Sequence, residues 1–464
     1  MNAILPRRIV SSGDPNVTHW TTARRRLVPP LALFLGFALV ALLTASDRPA
    51  PAPFRSAFEA QFPKTEASAA ALEIERLAAV IGLDLSPMTS TDSSANEPTP
   101  TPAKTDEPAP FALEVEKERA RPSAEARTSV QRISGTMAQF LDRELKTPEE
   151  RIGAPPPPLE RFFTDHEDDI AALESALVRE SDIRWEMDVT AGESAPIPNL
   201  GGILRLQRFL AVRALIEARR GDTDAALQTL EGAWRLNEVV SARPELISQL
   251  IAVAAAKIHA GVLRKLDSPA WGWADRLRSG ALFMTFLAAF QNQAWFSPDA
   301  RDLTGEAGTF GRILRQVAGE FEERDLCSWT PEKLRETWTR AVRDQSREGS
   351  SAADIAVPNM IESLARWRRY QVDAELTALV LDARAERAAS RRRTWPAKLH
   401  GIGAGVCPDG PWSYKTSGNG TATFAYEGRI AESPSVALKL PLTFTAGTPA
   451  APSPRERKPG RKRN

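Results

Sequence analysis

The chain has 464 residues, with 60 Lys and Arg against 59 Asp and Glu, a formal net charge of +1 and 42% hydrophobic residues. That is enough apolar material for one large core or two small ones, and the balanced charge argues against a dedicated nucleic-acid binder. Two cysteines, Cys327 and Cys407, and four scattered histidines, His19, His166, His259 and His400, form no zinc-ligand spacing, so the sequence implies no metal and no cofactor.

Residues 1–26 carry Arg7, Arg8, Arg24, Arg25 and Arg26 against the single acid Asp14, and Leu27–Ala45 follows without a charge. About nineteen residues at 1.5 Å each make a helix of roughly 28 Å, close to a bilayer core. Arginines before such a span hold their end in the cytoplasm. We therefore read 1–26 as a cytoplasmic arm and 27–46 as a single-pass anchor in the inner membrane. The bulk of the chain is expected in the periplasm or another extracytoplasmic space. A cleaved signal peptide is the alternative, although Thr44-Ala45-Ser46 matches a cleavage site only weakly.

Residues 47–122 read as a spacer, a helix over Thr65–Leu83 capped by Thr65, and a disordered Pro/Ser/Thr-rich linker over Ser86–Pro110. A helical domain is expected over 123–400, opening with a helix at Ser123–Leu145 and a polyproline spacer at Pro155–Pro158. Thr164 and Glu167 have capping-box spacing for a helix running to Arg179, and the acids from Asp165 to Asp169 suit a first helical turn. The turn-rich loop Arg184–Gly202 holds Trp185, Glu186 and Asp188. Two carboxylates two apart in an extended segment share a face, and beside an aromatic they could serve glycoside chemistry. They read equally as exposed loop charges or as partners of neighbouring backbone. No other catalytic pattern is present: the Gly-x-Ser-x-Gly elbow, His-Glu-x-x-His and the phosphate loop are all missing.

Helices follow over Leu200–Arg220, Thr223–Val240 and Pro244–Leu266, then Trp273–Phe296, Phe310–Glu323, Thr330–Gln345 and Asn359–Ala388. Pro244–Leu266 is apolar nearly all round, as suits the centre of a bundle, with His259 read as a satisfied core or groove histidine. Residues 401–446 read as a small β appendage. Its hairpin runs from Trp412–Ser417 through Gly418-Asn419-Gly420 to Thr421–Gly428, with a third strand over Ser435–Thr445. Cys327 and Cys407 are expected to pair in an oxidising compartment, closing a loop of about eighty residues worth roughly 4 kcal/mol. Two independent buried thiols are the alternative. Residues 447–464 read as a disordered basic tail that could touch anionic envelope polymers. The expected class is mainly α: an irregular antiparallel helical bundle with a small carboxy-terminal antiparallel β-sheet.

Residues 213–237 resemble part of a tetratricopeptide repeat. Gly221-Asp222 match the turn, Ala226, Leu230 and Ala233 the packing positions of the second helix, and Leu236 its close. Arg213 and Glu217 stand where that pattern expects apolar residues. The order of segments from about 65 to 445, carried by PIPNL (196–200), 243–266, 381–399 and 407–424, resembles uncharacterised membrane-anchored bacterial proteins, which implies an envelope location and brings no activity. The last of these pieces is also similar to the pseudopilin layout, although no Glu follows Gly36-Phe37. Together these readings lead us to expect a non-enzymatic, membrane-anchored envelope protein, a helical scaffold for a protein or peptide partner. An enzyme acting on a cell-wall or envelope polymer through carboxylates, or an accessory subunit of a secretion or pilus-like system, are the alternatives.

Overall fold

The structure, a computed structural model, describes residues 58–87, 119–279, 331–345, 351–399, 412–418, 420–428 and 443–447, with a few single positions between 280 and 411. The chain divides into two units, 1–61 and 62–464. Of the first, only the helical residues 58–61 are described; the second contains the bundle and the sheet. The span Leu27–Ala45, both cysteines, the linker over 88–118 and the tail beyond 447 lie outside the described residues.

The described helices are α1 (Ala69–Val80), α2 (Ala124–Lys146), α3 (Pro157–Asp165), α4 (Glu167–Arg179), α5 (Leu200–Arg220), α6 (Thr223–Ser241), α7 (Leu246–Lys265), α8 (Trp273–Arg278), α9 (Pro331–Gln345) and α10 (Ser351–Ala389). A three-stranded antiparallel sheet follows, β1 (Trp412–Thr416), β2 (Ala422–Tyr426) and β3 (Thr443–Ala446), in the order β1-β2-β3. The molecule is thus mainly helical with a small sheet towards its carboxy-terminal side, as its composition and periodicity lead one to expect.

At the centre lies α7, packed against α5, α6 and α10. Ala252, Ala255, Ala256, Ala260 and Gly261 are buried along it, and small side chains let neighbouring helices come close. At Gly261 a Cβ would stand 2.6 Å from the Leu145 methyl of α2, so a larger residue here would have to push that side chain aside. Among the described residues, α7 is the one helix long and apolar enough to span a membrane, and most of it is buried in the bundle. The hairpin of α5 and α6 turns at Gly221, whose φ of 89° is left-handed, and Asp222 then caps α6 by accepting from the Ala225 N–H at 3.0 Å. Ala226, Leu230, Ala233 and Leu236 are all fully buried at this hairpin.

Several boundaries differ from the sequence reading: Pro157 and Pro158, expected in a polyproline spacer, are the first residues of α3, where missing N–H donors cost little, and the helix expected over Trp273–Phe296 is α8, which ends at Arg278. Ser68, not Thr65, caps α1: its hydroxyl accepts from Ala71 N–H at 3.2 Å, while Thr65 exchanges backbone hydrogen bonds with Met187. The helix expected to start at Thr164 is two helices that break at His166. Thr164 lies inside α3 and donates its hydroxyl to the Glu160 carbonyl at 3.0 Å, so no capping box forms. Finally, α10 begins at Ser351 rather than Asn359. In addition, α1 shares the main core through Ala71, Ile74 and Leu77, so the helical body draws on residues well before 123.

The sheet closes a second core against the later part of α10: Val372, Leu376, Leu379, Val380 and Ala383 meet Trp412, Phe424, Tyr426 and Phe444. Its register pairs Trp412 with Tyr426 and Phe424 with Phe444. The edge of β3 is covered by the chain just after α2. Thr445 N–H donates to the Pro148 carbonyl at 2.7 Å and Glu150 N–H to the Thr445 carbonyl at 3.2 Å, a parallel bridge that leaves no long bare edge there.

Candidate functional site

The loop after α4 carries the carboxylates that the sequence singles out. Trp185 is buried, and its indole N–H donates to a Glu75 oxygen of α1 at 2.9 Å. Arg119 pairs with the same Glu75 oxygen at 2.9 Å and reaches Glu186 at 3.2 Å. Burial pushes the Glu75 carboxyl above its ordinary value, and Arg119 opposes the rise. Asp188 accepts from the Thr190 hydroxyl at 2.6 Å and backbone N–H at 3.1 Å, and pairs with Lys64 at 3.0 Å. The bond from Thr190, and then Lys64, hold its carboxyl below the usual aspartate range. From the other side Arg243, itself paired with Glu245 at 2.7 Å, donates to the carbonyls of Glu186 and Pro196 at 3.0 and 2.9 Å.

Trp185, Glu186 and Asp188 are therefore each engaged by different neighbours. A general acid at neutral pH needs a carboxyl held protonated; Asp188 is shifted the other way. Trp185 fixes the loop to α1 through its nitrogen, and the Arg243–Glu245 pair fixes it to the start of α7.

Two buried polar groupings escape a linear reading. The first lies where α4 meets α5 and α6. Arg213 binds Glu167 with two nitrogens, stands 2.6 Å from Glu217 and 4.0 Å from Glu174. The Thr229 hydroxyl lies 2.8 Å from Glu174 and 3.0 Å from Glu217. A hydroxyl has one proton to give, so the bond to its second partner needs a proton held by a carboxyl. Burial, reinforced by the Glu217 charge, raises Glu174 to about 7; Glu217 is raised as well, chiefly by burial. Arg213 and Glu217 are the two departures from the repeat pattern, which was the available signal. The second grouping is His259, fully buried in α7. Its Nε2 lies 2.8 Å from the Gln207 side-chain oxygen of α5, while the Gln207 amide nitrogen donates to the Ala233 carbonyl of α6 at 3.0 Å. That fixes Nε2 as the protonated nitrogen. Burial lowers its pKa to about 3.

Outwardly, α7 shows one apolar stripe. Ile247 is 48% exposed, and Leu250, Ile251, Ala254 and Ile258 are half-buried on the same face at helical spacing. Among the described residues no cluster of His, Cys, Asp and Glu could hold a metal ion. No family model matches the chain, and neither a curated protein nor a solved structure matches it.

Proposed function

We propose that the chain is a non-enzymatic, membrane-anchored envelope protein whose helical body is a scaffold for a protein partner. Its occupant would be an amphipathic helical segment of another envelope protein, laid along the stripe from Ile247 to Ile258. That stripe carries the reading: it is apolar at helical spacing, partly open to solvent, and rooted in a helix whose other faces form the core. The commitment of Trp185, Glu186 and Asp188 to internal contacts supports a scaffold over an enzyme. Anchoring through Leu27–Ala45 belongs to the same proposal and rests on the sequence.

The test is site-specific photocrosslinking in intact cells from position 251, with exposed Gln228 of α6 as control. A single stoichiometric adduct from 251 that disappears with Ile247→Asp, and none from 228, is expected. No adduct, or the same diffuse ladder from both positions, would overturn the scaffold reading. Deleting 27–45 should release the protein from the membrane fraction; if it stays there, the anchor is wrong.

A further inference from the structure

Most arginines of this fold that make ion pairs find an acid close by, as Arg76 does with Glu73, Arg264 with Asp373, Arg276 with Glu231 and Arg384 with Glu150. Others, such as Arg127, Arg132 and Arg161, form no ion pair among the described residues, but three in succession without one stand at a single corner. The turn after α10 carries Arg391, Arg392 and Arg393 in succession, then Lys398; all four are exposed, and none forms an ion pair among the described residues. Arg393 holds a left-handed φ of 50°, a conformation unusual for a side chain of this size.

The turn is not a loose end. The Trp395 indole donates to the Gly420 carbonyl at 2.8 Å, and the Tyr414 hydroxyl to the Pro396 carbonyl at 2.9 Å, so the hairpin of β1 and β2 pins it. Arg387 lies over the Trp395 ring at 4.3 Å and pairs with Asp267 in the loop after α7. That loop carries Trp271, 74% exposed, between Ala270 and Gly272, both at positive φ (43° and 85°). Trp273, two residues on, is buried and covered by Arg276. The Arg387–Asp267 pair thus sets the loop that bears the exposed Trp271 indole beside the anchored turn that bears these four cations. Gly447 packs against Gly420 and Trp395 at this corner as well.

We propose that this corner docks on an anionic phospholipid bilayer, with Arg391, Arg392, Arg393 and Lys398 on headgroup phosphates and the Trp271 indole at the headgroup level. Cations with an exposed indole are the combination that suits an anionic membrane interface. A single-stranded nucleic acid would ask for open aromatic faces within the basic turn, and Trp395 has its nitrogen bonded and one face under Arg387. The inference depends on neither the α7 stripe nor the anchor.

Full-length protein is held in phosphatidylcholine nanodiscs, which occupy any anchor, and is floated with added vesicles. Flotation with phosphatidylglycerol vesicles and none with phosphatidylcholine vesicles is expected, lost at high salt. Replacing Arg391, Arg392 and Arg393 by Gln should weaken it roughly a hundredfold with unchanged thermal unfolding, and Trp271→Ala should weaken it further. No flotation, flotation undiminished in the triple variant, or tighter binding of a short single-stranded oligonucleotide than of vesicles would overturn the proposal. Protein that fails to enter the discs refutes the anchor instead, and the same flotation is then read with the protein free in solution.

Discussion

Glu174 of α4 and Glu217 of α5 converge on one hydroxyl, that of Thr229, at 2.8 and 3.0 Å. Two carboxyl groups meeting in a half-dry site favour a shared proton. The folded chain then keeps a proton on Glu174 up to about pH 7, whereas the unfolded chain releases it near 4.5. Stability from this group is complete below 4.5 and falls as pH rises to about 7, by roughly 3 kcal/mol in all. Glu174→Gln should therefore be more stable than the parent at pH 8 and nearly equal to it at pH 4.5. Urea midpoints at the two pH values check this.

His259 should tilt the curve the other way. Its folded pKa of about 3 lies below the ordinary 6.5, so the unfolded chain takes up a proton that the folded chain refuses. Stability from this group is complete above 6.5 and falls towards pH 3, by about 1.4 kcal/mol per pH unit. Between 4.5 and 6.5 the slopes from His259 and Glu174 oppose one another. A Gln207→Leu, His259→Leu double variant, which leaves no orphaned amide, should show a shallower acid slope, the remainder coming from carboxylates such as Asp188 that are held below their usual range. Denaturation followed across the acid range would show whether it does.

The Arg264–Asp373 pair, 2.8 Å apart with both side chains almost wholly out of solvent, joins α7 to α10. Asp373→Leu strands the guanidinium and should cost about 3–5 kcal/mol. The double change Arg264→Met, Asp373→Leu should cost well below the sum of the two single changes, because neither charge is then left alone. A double-mutant cycle by chemical denaturation measures the coupling.

Gly202 opens α5 so close to the chain after α1 that a Cβ would lie 1.8 Å from the Asp84 carbonyl oxygen. Gly202→Ala should force the two segments apart at a cost of about 1–3 kcal/mol. Gly201→Ala, one residue earlier and in ordinary contact only, should be neutral or slightly stabilising, since alanine favours the helix. Paired melting temperatures separate the steric effect from the propensity.

How much of this was legible varies with the range of the cause. Gly221 and Asp222 announce their turn through local chemistry, and the helices on either side begin and end close to where periodicity puts them. Ser68 and Thr65 show the opposite case. Either could cap α1, and the choice is made by the loop carrying Arg184 and Met187, whose backbone engages both residues. The Trp185–Glu75 bond joins residues 110 apart, so no local pattern reveals it. Trp185 with its neighbouring acids looked like a site because its true partner sits on another helix. The membrane span and the cysteine pairing rest on residues outside those described.

The bridge between Glu149 and Thr445 has a consequence for assembly. Gly447 N–H donates to the Glu150 carboxylate across 297 residues, and Arg384 pairs with that same carboxylate at 3.0 Å. During synthesis the stretch after α2 leaves the ribosome long before its partner strand exists. Its carbonyls and carboxylate wait in water, or with a chaperone, until β3 and Gly447 have been made. The fold thus registers whether β3 has been made: a nascent product stopped before it leaves the Pro148 carbonyl, the Glu150 N–H and the Glu150 carboxylate without these partners.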